Sequence, residues 1–159
     1  MGCDIHILAE TIDDCNDQKV EWLILPFKFK RQRDYVLFAI LANVRNAWSK
    51  ESIENNPEDY AERDRVPVIP ISEPRGFPAD WGPTKRNFLA ETLHYSFGPD
   101  FTDGHSDSYL IFDEVFDWID KYPEWKERIK YFADELQECM KQNYGRDAKR
   151  FRLVFNFDN

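Results

Sequence analysis

Cysteine is scarce: Cys3, Cys15 and Cys139 are odd in number, far apart, and form no C-x-x-C pair. That spacing excludes a disulfide scaffold and a zinc knuckle, and reduced thiols are the simplest expectation. Long hydrophobic runs are missing too. None approaches the roughly 20 residues of a membrane span, and the apolar stretch 5–9 contains His6 and lacks the basic flank of a signal peptide. The opening Met1-Gly2-Cys3 has His6 where N-myristoylation uses Ser or Thr, so lipidation is not expected. The expected location is therefore the cytoplasm, without membrane contact. Positive charge is in deficit, 21 Lys and Arg against 30 Asp and Glu for a net −9. Generic binding to a nucleic-acid backbone rests on Lys and Arg displacing counterions, and this balance argues against it. The acids are interleaved with bases along the chain, which reads as a solvated surface or as a face for a cationic partner. Neither a phosphate-binding loop, an H-E-x-x-H pair nor a dinucleotide fingerprint is present, and no internal repeat is visible.

What is present favours a folded chain. Hydrophobic residues make up 42% and aromatics 16%, too rich for a disordered segment. A length of 159 residues fits one core, so 1–159 is expected to be a single domain. Residues 3–9 alternate, with Cys3, Ile5, Ile7 and Ala9 on one side and Asp4, His6, Leu8 and Glu10 on the other, the pattern of a half-buried strand. After a turn rich in Asp and Asn, residues 20–27 suggest a second strand paired as a hairpin. A helix is expected over 34–44, with Tyr35, Phe38, Leu41 and Ala42 as its buried stripe. Six of the nine prolines fall between 57 and 83. They rule out a long regular element there and predict an ordered loop anchored by Val66, Val68, Ile69, Ile71, Phe77 and Trp81. Helices are also expected over 84–95, 113–121 and 123–143, the last with Trp125, Ile129, Phe132, Leu136 and Met140 as its stripe. Residues 98–108 read as a polar loop leading into an apolar run over 109–112. The end alternates again, Phe151, Leu153, Phe155 and Phe157 against Arg152, Val154, Asn156 and Asp158, and predicts a strand. The fold class is α+β: a small, mostly antiparallel sheet including both terminal strands, packed against three to four helices, with a long proline-rich loop.

Three constellations carry candidate chemistry. Asp4, His6 and Glu10 share one face of the first strand at spacings of about 7 Å, and carboxylate plus imidazole suits a divalent metal. The plain alternative is an Asp–His hydrogen bond beside the core with Glu10 in solvent. The segment Asp103-Gly104-His105-Ser106-Asp107-Ser108 packs carboxylates, an imidazole and hydroxyls together. It could complete a metal shell through His105, supply His105 as a general base, or place Ser106 as a nucleophile, although no G-x-S-x-G elbow accompanies it. A capped turn explains the same residues. In Pro74-Arg75-Gly76-Phe77-Pro78, the glycine permits close approach and the guanidinium suits bidentate capture of phosphate or carboxylate, with an internal salt bridge as the alternative. His94 reads as a packing or capping residue.

Several stretches together, GCDIHILAE, RDYVLFAILANVRN, PISEPRGFPADW, DGHSDSYL and VFNFDN, resemble a family of small proteins encoded by tailed phages, from the first residue to the last. The family pattern carries over onto Gly2 to His6, Glu10, His105 and Ser106, while relatives differ at Gly104 and Asp107. The resemblance concentrates on polar residues, among them Asp4, His6, Arg75, His105, Ser106 and Asp158. It implies a phage accessory protein acting in the host cytosol and does not imply a reaction. The leading expectation is binding, with hydrolysis as an extension, of a small phosphate-bearing ligand such as a nucleotide or a nucleotide-derived defence signal. Arg75, Gly76, Arg45 and Asp158 would bind the ligand. Asp4, His6, Glu10 and His105 would hold a divalent metal (Zn²⁺, Mn²⁺ or Mg²⁺), and His105, Ser106 and Asp4 would serve catalysis. The alternative is a non-enzymatic protein that occupies a host bacterial enzyme or defence complex through its acidic surface.

Overall fold

The computed structural model describes residues 2–13, 21–30, 33–82, 84–85 and 104–158. Four strands, β1 (Ile5–Asp13), β2 (Glu21–Ile24), β3 (His105–Ile111) and β4 (Phe151–Phe157), form an antiparallel sheet in the order β2-β1-β4-β3. The first and last segments of the chain are thus the two central strands, paired from Ile5 opposite Phe157 to Thr11 opposite Phe151. The alternation separates two faces as expected, but both are covered: β4 is buried throughout and β1 from Ile5 to Glu10, where a half-buried strand was expected. Cys3, Ile5, Ile7 and Ala9 with Phe151, Leu153, Phe155 and Phe157 enter the main core, and Leu8 and Val154 turn to the other face.

Helices cover the first face. These are α1 (Tyr35–Ala42), α3 (Phe112–Lys121) and α4 (Lys130–Gln142), whose buried residues belong to the main core, whereas the short α2 (Lys50–Asn55) contributes only Ile53, outside that cluster. Asp34 caps α1, its carboxylate accepting from the amides of Val36 and Leu37, and Asn43 ends it in the left-handed region. Every residue from Val36 to Ala42 is buried, so α1 is a core helix, apolar all round, and not the one-stripe surface helix expected. Phe38 meets Phe157 edge-on at 5.0 Å between ring centres, fixing α1 against the end of β4.

On the opposite face, the proline-rich loop covers the centre of the sheet. Residues 65–82 contain no helix or strand, and Phe77 stacks on Trp81 at 5.4 Å to cover Leu8 and Val154. The loop also closes the open edge of β3, where the Gly76 amide donates to the Asp107 carbonyl at 2.8 Å. That contact protects an edge strand from pairing with another chain.

Several boundaries differ from the expectation. β2 is shorter than 20–27, because Pro26 cannot extend the ladder. β3 starts at His105 and not at 109: a bulge between His105 and Ser108, with Ser106 at φ 55°, lets turn-forming residues sit inside a strand. The helix expected from Pro123 is a 3-10 turn over Pro123–Trp125, and α4 begins only at Lys130. The tighter turn places Trp125 edge-on to Trp48, 6.5 Å between rings. The short α2 was not anticipated, since Ile53 is its only buried residue. Of the helix expected over 84–95, Thr84 and Lys85 are helical; the remainder, with His94, Cys15 and Asp103, lies outside the described residues. Cys3 and Cys139 are buried free thiols. Among the described residues no helix is long and apolar enough to cross a membrane.

Candidate functional site

The loop-covered face of the sheet carries polar side chains at both ends, separated by the Leu8–Val154 pair. At one end Glu10, fully buried, sits opposite Arg152. Arg152 Nε donates to Glu10 Oε2, and its two terminal nitrogens donate to both oxygens of Asp80 at 2.9 and 2.7 Å. Trp81 Nε1 and Lys85 Nζ donate to Glu10 Oε1 at 3.0 and 2.8 Å. The Arg152 guanidinium lies 4.3 Å over the Trp22 ring. Two acids and two bases therefore cancel in charge, and both Glu10 oxygens are used. The hydrogen bonds from Arg152 hold the Asp80 carboxyl below its usual range against an opposing effect of burial. This cluster pins Asp80, Trp81 and Lys85 onto the sheet.

The other end is built from the two ends of the chain. Asp4 and Asp158 are paired through their backbones: the Asp158 amide donates to the Asp4 carbonyl at 3.0 Å, and the Asp4 amide to Asp158 Oδ1 at 2.9 Å. Asp158 Oδ2 accepts from His6 Nε2 at 2.8 Å; a carboxylate only accepts, so Nε2 carries the proton. The Asp4 carboxylate accepts from Arg33 Nε at 2.6 Å. Gly2 lies close to that guanidinium: a Cβ there would fall 2.5 Å from its central carbon, so a larger residue would displace the Arg33 side chain. The Cys3 thiol is pushed up by burial, with the Arg45 side chain opposing through a hydrogen bond. Arg45, at φ 48°, lies 5.9 Å over the Tyr35 ring, and the Tyr35 hydroxyl accepts from the Cys3 amide at 3.3 Å. Arg33 and Arg45 thus flank α1 and both reach the start of β1. Asn156, opposite His6 in the register, has no exposed surface, and among the described residues neither its amide nitrogen nor its amide oxygen has a hydrogen-bond partner.

The sequence-derived candidates divide between these places. Asp4, His6 and Asp158 come together as one hydrogen-bonded group with Arg45 nearby. Glu10, expected beside them as a metal ligand, is held at the far end by Arg152, Lys85 and Trp81. Arg75, expected to hold a ligand phosphate, instead makes the internal salt bridge, donating to both oxygens of Glu114 at 2.9 and 2.6 Å. Burial raises the Glu114 carboxyl, but Arg75 and the Ile111 amide together bring it below its usual range. Gly76, at φ 78°, serves the edge contact with Asp107. His105 Nδ1 and Ser106 Oγ share a hydrogen bond of 2.8 Å. The His105 ring, however, stacks on Phe157 at 6.1 Å, on the helix side of the sheet. His6, one register step away opposite Asn156, belongs to the other face. The expected meeting of His6 and His105 in one hollow is therefore corrected: they share an end of the sheet but not a face. Among the described residues no three His, Cys, Asp or Glu side chains gather so as to hold a metal ion.

Arg33 and Asn156 were not singled out from the sequence. Arg33 opens the RDY stretch, a signal available but unread, whereas Asn156 looked like an ordinary outward residue of an alternating strand. Among the described residues, open cavities lie elsewhere. One of about 870 Å³ runs between Phe27, Lys28 and Lys30 and the α4 carboxylates Asp134, Glu135 and Glu138, and one of about 220 Å³ lies beside Trp125.

The fold and these contacts define an α+β protein with an antiparallel sheet whose central strands close a polar, partly unsatisfied site between the chain's first and last segments. No protein-family model, curated protein or solved structure matches the chain.

Proposed function

We propose that this chain binds a small phosphate-bearing ligand, a nucleotide or a nucleotide-derived defence signal, at the end of the sheet formed by the start of β1 and the end of β4. The observation that carries the reading is the pair of guanidiniums, Arg33 at Asp4 and Arg45 at Cys3, at the start of β1, close to the buried amide of Asn156. A buried amide with neither atom partnered costs about 1–3 kcal/mol per group, and buried polar groups left in that state point to a role other than packing. It sits in a group assembled from both ends of the chain. Arg33, with 58% of its side chain exposed, and the exposed Arg45 supply two guanidiniums suited to phosphate oxygens. Asp158 orients His6, and Asp4 orients Arg33. The reading stops at binding, because the carboxylates and imidazoles proposed for a metal or for proton transfer are distributed over both faces and both ends of the sheet. The setting implied by the resemblance, a phage accessory protein in a bacterial cytosol, suits sequestration of such a ligand.

Isothermal titration of the purified protein with a panel of mono- and dinucleotides tests the proposal. Binding of at least one member, weakened about 10-fold or more in Arg33→Ala and in Arg45→Ala, is the expected result. Absence of binding across the panel, together with stoichiometric capture of a host protein, would replace this reading with the alternative, an acidic-surface inhibitor of a host complex.

A further inference from the structure

We infer that the part of the ligand meeting Asn156 is a nucleobase edge, with a donor and an acceptor side by side. This rests on the phosphate-ligand reading above and adds which other part of the ligand is recognised. The argument is one of hydrogen-bond complementarity. A primary amide offers N–H donors on one atom and an acceptor on the other, and in Asn156 both are unpartnered. An ionised phosphate presents acceptors only, so it leaves the amide oxygen as it was. A metal ion would take the oxygen and leave the nitrogen. A group with an N–H beside a ring nitrogen or carbonyl satisfies both atoms at once, and that is the pattern along the edges of the nucleobases, which asparagine reads in a bidentate manner.

The surroundings fit a flat, half-apolar group. On the sheet face Asn156 lies between Val154, which belongs to the apolar pair with Leu8, and Asp158, which holds His6. An apolar flank on one side and the charged group with Arg33 on the other match a base joined to a phosphate. The far end of the same face shows that this sheet does satisfy its buried polar atoms where they are structural: both Glu10 oxygens accept, and Arg152 is held by Glu10 and by both oxygens of Asp80. Because Asn156 is closed to solvent, the base reaches it only when this part of the face opens, and ligand binding should protect the β1 and β4 amides from hydrogen exchange.

The test compares AMP, CMP and GMP with base-free ribose 5-phosphate and pyrophosphate, by titration calorimetry on the full chain and on Asn156→Leu, a substitution of similar volume. In the unmodified protein at least one nucleotide should bind about 10- to 100-fold more tightly than ribose 5-phosphate. Asn156→Leu should bring that nucleotide down to the level of ribose 5-phosphate, and melt at the same or a higher temperature. Should Asn156→Leu fail to fold, Asn156→Ser, which removes the paired donor and acceptor, should show the same loss. Equal binding of ribose 5-phosphate and all three nucleotides to the unmodified protein would overturn the inference while leaving the phosphate reading intact. Undiminished nucleotide binding by a folded Asn156 variant would also overturn it, and no binding by any of the compounds would remove both.

Discussion

One face of one sheet presents two buried polar groups that differ in completeness. Around Glu10 and Arg152 the donors and acceptors match and the charges cancel, with an aromatic ring beneath the guanidinium. Around His6 and Asn156 the carboxylate of Asp158 is engaged, yet an entire amide is left without partners. Both groups lie between the same two strands and have similar burial, so local secondary structure does not explain the difference. The lesson is that a complete network holds the fold, as at Arg152, which ties Asp80 to Glu10 of β1, whereas an incomplete one marks where the molecule has hydrogen-bonding capacity left for something else.

The largest expected effect is on the complete end. Arg152→Ala strips a charge partner from the fully buried Glu10, and such removals cost about 3–5 kcal/mol; urea denaturation should show it. If that variant were no less stable than Asn156→Leu, the distinction between the two ends would fail. Acid should act on the same network and on the separate Arg75–Glu114 pair. The folded-state values of Asp80 and Glu114 lie below the ordinary 3.8 and 4.5. Their contribution is therefore fully present above those ordinary values and is lost as pH falls through the lower folded ones. Urea midpoints measured from about pH 5 down to about pH 2.5 should fall, and the fall should be shallower in Arg152→Ala, where Asp80 has lost its main partner. The smallest effect belongs to Arg75→Ala. Its pair with Glu114 is bidentate, but the two side chains keep 30% and 33% exposure, so solvent screening limits the loss to about 1 kcal/mol. A thermal melt should register it without any change in ligand affinity. A large affinity loss there would return Arg75 to the ligand site from which the geometry removes it.

Much of the fold was legible because alternation is a local signal. β1 and β4 could be assigned, with their inward and outward faces, from residues 3–9 and 151–158 alone, and Asp34 before an apolar run announced α1. Less could be read where chemistry and conformation conflict. His105, Ser106 and Asp107 have turn-forming side chains, and only the bulge against β4 makes them strand. The 3-10 turn at Trp125 depends on Trp48, 77 positions earlier in the chain. For the site, the residue types on β1 were correctly found polar, but their partners lie at the other end of the sequence: Glu10 meets Arg152 and His6 meets Asp158. Nothing in a single sequence states that register. Even less does it state that Arg75 turns away to Glu114, or that Asn156, one residue in a regular alternation, ends up sealed and unsatisfied.

The central claim is that the His6–Asn156 end receives a ligand and the Glu10–Arg152 end does not. Side-chain N–H resonances report on both ends in one experiment, the Asn156 amide at the first and the Trp81 indole, bonded to Glu10, at the second. Titrating the nitrogen-15-labelled protein with the tightest-binding nucleotide should shift the Asn156 amide pair and leave the Trp81 indole in place. A Trp81 signal that moves while Asn156 stays fixed would contradict the account.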